Sequence, residues 1–236
     1  SISELNNSGT LYAKTNFIIN NNSDLYNSGT IYSGGDLTLS AASATNSASG
    51  WIFSKENSDL SFLTDFTNSG NLQATKNLNI ITGRNSVNSG SIIGEQLTFT
   101  SLGNLSNSGS IASENDLTLS AINLVNSGSI QSTGISTITL SGNLTNEENS
   151  LIYSGAALEL TANGSLTNKG EISAADSATL NFSSIINSGN ILSNQELRLN
   201  SASLENKSGG AIASINKSLI LNLSTFLKNA GTIFAK

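Results

Sequence analysis

Apolar residues along this chain come in pairs two positions apart, and the same pairs return about every 20 residues. Each repeat opens with Ile or Leu, from Leu11, Ile31 and Ile52 through to Ile233. A small residue follows two positions later in all twelve repeats, as in Ala13, Ser33, Gly94 and Ala235, where an inward bend would leave no room for a larger one. An i, i+2 pair comes next, for example Leu37/Leu39, Leu97/Phe99 and Leu158/Leu160. A third apolar residue stands two places before a recurring Asn, as Leu25, Leu105 and Leu204 do; Ala44 and Ser86 are the weak members of that column. Spacing of two puts such residues on one face of a strand. Three short strands per repeat cannot bury those faces alone and need copies stacked above and below. The pattern predicts an all-β chain: a right-handed parallel β-helix, or solenoid, of about twelve coils of roughly 20 residues, with three short strands per coil. It would form a single repeat domain over 1–236 and span roughly 55 Å at about 4.8 Å per coil.

The polar marks are as regular. An Asn recurs at Asn7, Asn27, Asn46, Asn68, Asn88, Asn107, Asn126, Asn146, Asn168, Asn187, Asn206 and Asn229, nine times in the form Asn-x-Gly. Asn and Gly both tolerate positive φ, and Asn bonds neighbouring backbone in turns, so the motif reads as a tight corner. Stacked in register, the twelve Asn side chains are expected to form a structural ladder. At Asn46, Asn146 and Asn206 the next Ile lies six residues on instead of four, which reads as a two-residue extension at the same corner.

Composition narrows the function classes. Hydrophobic residues make up 37% of the chain and are regularly placed, which argues against disorder. With no Pro, every residue keeps its backbone donor. The net charge of −6 and only two arginines, Arg84 and Arg198, make nucleic acid an unsuitable partner. No apolar run is long enough to span a bilayer, and the first residues carry no signal-peptide pattern. With no Cys and no His, the chain lacks thiolate or imidazole metal ligands and an imidazole base; no cofactor or metal is expected.

Segments such as Asn107-Ser-Gly-Ser-Ile111, Asp116-Leu-Thr-Leu119 and Leu124-Val-Asn126-Ser-Gly128 resemble filamentous haemagglutinin-type repeats, and the resemblance runs over essentially the whole chain. Such repeats occur in two-partner-secreted exoproteins of Gram-negative bacteria, among them adhesins, haemolysins and contact-dependent growth inhibition proteins. The resemblance implies export through an outer-membrane two-partner transporter and a place on the cell surface or in the medium. It also implies a stalk role, projecting an adhesive or toxic tip toward other cells. The Asn-Pro motifs of the family's secretion domain and the Val-Glu-Asn-Asn junction before its toxins have no counterpart; Leu204-Glu-Asn206 is an ordinary repeat. With no polar cap evident at either end, the chain reads as an internal piece of a longer array.

Some parallel β-helices cleave acidic polysaccharides with clustered carboxylates, often with a basic side chain as base. Here Asp36, Glu95, Asp116 and Glu196 are scattered one to a coil, the pair Glu147-Glu148 lies in an irregular turn, and Gly34-Gly35-Asp36 is a single echo of calcium-binding repeats. Solvated turn residues account for them better, and the expectation is no enzyme. Outward positions carry more. Alternation places Tyr12, Tyr32 and Phe53 on the outer face of three successive coils, with Trp51 on the same side and Tyr153 in a smaller group with Leu151. Such a strip could contact a target-cell or host surface receptor. The simpler reading is that stacked aromatics stabilise their own sheet.

Overall fold

The structure, a computed structural model, describes residues 4–236. It is an all-β solenoid of about twelve turns, each of roughly 20 residues and three strands. The coil Ser110–Ser113, Leu117–Ala121, Leu124–Asn126 is representative. First strands stack as one 12-stranded sheet from Thr10–Ala13 to Thr232–Ala235. Second and third strands count together as a 21-stranded sheet, because Leu197–Asn206 and Leu219–Asn229 run through the corner between them. All pairings are parallel, and apart from one shift between Ser201 and Ser203 in the pairing of Leu197–Asn206 with Leu219–Asn229 they keep one register, so Ile92 lies under Ile111 and Ile111 under Ile130.

The inward columns form one continuous core. Ile31, Leu37, Leu39, Ile92, Leu117, Leu119, Leu160 and Leu199 are fully buried. The weak column members are compensated by their neighbours. Phe66 pairs with Ala44 below and Ser86 above, so a large side chain stands between two small ones. It stacks on Phe62 at 4.9 Å and meets Phe99 edge-on at 6.3 Å. Ser86 is buried as well, bonded to Thr82 at 2.8 Å and to Ser101 at 3.2 Å. Close packing with satisfied hydroxyls replaces the missing aliphatic volume.

The corners correct one sequence expectation. Asn-x-Gly does not turn through positive φ: among the described residues only Asn149 and Gly209 have it, and both lie in extended turns. The glycine is required by the close approach of successive coils. A Cβ on Gly109 would fall on the carbonyl oxygen of Gly90, and one on Gly128 on that of Gly109. The extensions after Asn46, Asn146 and Asn206 close outward through i to i+3 bonds, Gly50 N to Ser47 O at 2.8 Å, Ser150 N to Glu147 O at 3.3 Å and Gly210 N to Lys207 O at 2.9 Å.

The small residue of the first strand is more than a gap. Ser113 donates to the carbonyls of Glu95 and Asp116 at 3.0 and 2.7 Å, and Ser154 to those of Gly134 and Ala157, both at 2.8 Å. A short hydroxyl at the bend ties together the turns of two coils.

Candidate functional site: an amide ladder and an aromatic strip

The Asn residues lie at the end of the third strand, side chains inward. Eleven bonds of 2.8–2.9 Å connect all twelve, each Nδ2 donating to the Oδ1 of the Asn one coil further on. The second amide hydrogen reaches backbone carbonyls. Asn107 donates to Ser129 O at 3.1 Å and, less closely, to Gly109 O at 3.3 Å. Asn7 through Asn206 are buried, and Asn229 on the last coil is exposed. The ladder passes the three extended corners without a break, because Asn46, Asn146 and Asn206 keep their places in it.

A second row of Asx side chains lies where the second strand turns into the third, and it went unread in the sequence. Asp65 Oδ1 accepts from Asn85 N, Asn85 Oδ1 from Asn104 N, Asn123 Oδ1 from Asn143 N, and Asn143 Oδ1 from Ser165 N, at 2.7–3.0 Å. Its signal was present: an Asp or Asn stands three residues before Asn68, Asn88, Asn107, Asn126 and Asn146. These side chains are exposed, apart from the half-buried Asn123, and each supplies a coil with an acceptor for a turn N–H.

The scattered acids have similar duties. Asp36 accepts from the backbone and side chain of Asn57 at 3.1 and 2.9 Å, Asp116 from Ile135 N at 2.8 Å, and Glu95 from Asn115 at 3.3 Å. Glu196 pairs with Arg198 at 2.9 Å, and Glu147 with Lys169 at 2.7 Å. The Glu147 hydrogen bond raises the Lys169 ammonium above the ordinary lysine range. Among the described residues no three Asp or Glu gather as a metal cluster would require.

Tyr12, Tyr32 and Phe53 occupy one column of the first-strand sheet. Tyr12 and Tyr32 stack at 5.1 Å and 14°, Tyr32 and Phe53 at 5.5 Å and 25°. Rings stacked in this way cover one another's faces and turn their edges to solvent. Trp51 differs. It is 40% exposed, tilted 42° from Phe53 at 5.3 Å, and its register neighbours are Thr30 and Asn71. Tyr12, at the start of the column, is 62% exposed. Tyr153 is not brought to this strip. It pairs with Gln131 and Ser173, and Gln73, Ile93, Ala112 and Gln131 separate it from Phe53 along the column.

A comparison with curated proteins gives no match, and a comparison with solved structures gives none either. The haemagglutinin repeat family model matches residues 2–62, 43–109, 106–148 and 148–231. These overlapping stretches follow the coils through nearly their whole run, and the chain belongs to the haemagglutinin repeat family.

Proposed function

We propose that this chain is a stalk segment of a large secreted bacterial surface exoprotein, holding an adhesive or toxic tip away from the producing cell. The family is one of structural, adhesin-like repeats, typical of secreted surface exoproteins. The observation that carries the reading is the unbroken buried ladder, which ties the first coil to the last with no interruption for a pocket or a hinge. Acid side chains engaged as turn acceptors support a role without catalysis. In the same reading, export runs through a two-partner transporter in the outer membrane of a Gram-negative cell. The absence of disulfides suits a chain threaded before it folds.

The second reading is that the segment itself grips a receptor or glycan through Trp51, whose register neighbours Thr30 and Asn71 carry no ring. Changing Trp51 and Phe53 to Ser in the intact exoprotein separates the two. A stalk leaves target-cell attachment unchanged once surface display and folding are verified. Loss of attachment at normal display would replace the stalk reading with the binding one.

A further inference from the structure

Where the second strand turns into the third, three inner coils carry a glycine at the corner. A Cβ on Gly103 would fall 2.6 Å from the carbonyl carbon of Arg84, one on Gly142 2.2 Å from Asn123 Oδ1, and one on Gly164 2.3 Å from Asn143 Oδ1. Packing between coils therefore requires glycine at all three positions. The residue before it differs from coil to coil: Leu102, Ser141 and Asn163. The third case creates an Asn-Gly pair, and Asn163-Gly164 is the only one in the chain.

The side-chain amide carbon of an Asn lies within reach of the backbone nitrogen of the next residue. A side chain on that next residue hinders attack by its nitrogen, and glycine has none. Asn163 is exposed, and among the described residues its side chain has no hydrogen-bond partner. Gly164 N is held at this corner by one bond, to Gly142 O at 2.9 Å. The ladder residues present the opposite case. Asn107 is buried, its amide is bonded at both ends, and the nitrogen that follows, Ser108 N, is bonded to Asn88 O at 2.8 Å. Freeing it means parting packed coils, whereas a corner that faces solvent opens locally at low cost.

We infer that Asn163 is the site at which the folded chain modifies itself, by ring closure onto Gly164. Gly164 N gives up its proton and bonds to Cγ of Asn163. The bond from Cγ to Nδ2 breaks, and the amide nitrogen leaves as ammonia with that proton. Water then opens the cyclic imide at either of its two carbonyls. One opening leaves Asp at position 163; the other leaves isoaspartate, whose main chain runs through the former side chain and is one carbon longer. Both products add a negative charge. The second also lengthens the corner between Leu158–Ala162 and Ser165–Asn168, where Gly164 N bonds Gly142 O and Ser165 N bonds Asn143 Oδ1 at 2.8 Å. This one corner loosens with age while the buried ladder stays intact. The inference is independent of the stalk reading.

The test is peptide mapping by mass spectrometry, with enzymatic methylation of isoaspartate, on the folded chain held in mildly alkaline buffer. The expected result is conversion of Asn163 at least several-fold faster than of any ladder Asn. Asn163→Ser is expected to remove the main isoaspartate signal. Circular dichroism checks that this variant folds, and Asn163→Gln takes its place should it not. The aged parent is expected to melt below the fresh parent, and the aged variant to melt with the fresh variant. Three results overturn the inference: ladder residues converted as fast as Asn163, Asn163 unchanged while the chain stays folded, or undiminished isoaspartate in a folded variant. An aged, converted parent that melts like the fresh one overturns the loosening of the corner.

Discussion

At the residue scale, the buried Asn is the side chain on which each corner depends. Asn107 has no contact with water, accepts from Asn88 at 2.8 Å and donates to Asn126 at 2.8 Å. Removing one member of such a row leaves a buried donor on one side and a buried acceptor on the other, costing about 1–3 kcal/mol. Asn107→Ala is expected to lower unfolding stability by about 2 kcal/mol, from the price of one such unpaired pair. Asn229→Ala, on the exposed last coil, is expected to lower it by less than about 0.5 kcal/mol. Denaturant melts of the two variants check this, and equal losses would mean that burial is not what gives the ladder its strength. The Asn positions could be read from the sequence because they recur at one interval with an apolar residue two places before. The role of their Gly partners could not. Close approach of backbone in a neighbouring coil leaves no mark in local sequence, whereas positive φ is the habitual reason for an Asn-x-Gly turn. Ring orientation was equally hidden: alternation puts Tyr12, Tyr32 and Phe53 outside, but only packing decides that they show edges and not faces.

At the scale of the element, the coil is an interchangeable unit. Asn88 and Asn126 are both followed by Ser-Gly-Ser-Ile, so deleting residues 89–126 joins Asn88 to Ser127 and rebuilds the same corner. Above the junction Ile130 would meet Leu72, Ile138 would meet Ile80, and Leu144 would meet Ser86, while Thr82 and Ser86 keep their mutual bond of 2.8 Å. Stability in such arrays is a sum of coil and interface terms. The shortened chain is expected to melt cooperatively with an unchanged β spectrum, and its long axis to fall by about 10 Å, the rise of two coils. Small-angle scattering and circular dichroism measure both; an unfolded product would show that particular coils, not a generic stack, hold the rod together. Strand positions and facing were plain in the sequence because period two was kept in every coil. The second Asx row, from Asp65 to Asn143, was obscured by lying three residues from a stronger signal and by facing solvent.

For the whole molecule, charge acts between coils more than within them. Lys228 lies in register over Glu205 and bonds it at 2.8 Å. That hydrogen bond holds Glu205 below its ordinary 4.5 and Lys228 above its ordinary 10.5. A lowered carboxylate contributes stability above its unfolded value and loses it as pH falls through the folded one; a raised lysine contributes below its unfolded value and loses it as pH rises through the folded one. The pair therefore favours the folded state across the interval between 4.5 and 10.5. In low salt the melting temperature of the parent is expected to exceed that of Glu205→Gln within this interval and to converge with it outside. A difference that persists in strong acid would assign the effect to packing.

The uninterrupted stack of coils also has a mechanical consequence. Tension along the axis loads the coils in series, and a coil already released on one side, held by one neighbour, yields before one held by two. Peeling it exposes another coil held in the same way, so extension proceeds at nearly constant force. Each coil gives up about 4.8 Å of rod and releases roughly 70 Å of free chain. A rod drawn out in this way lengthens more than tenfold, coil by coil.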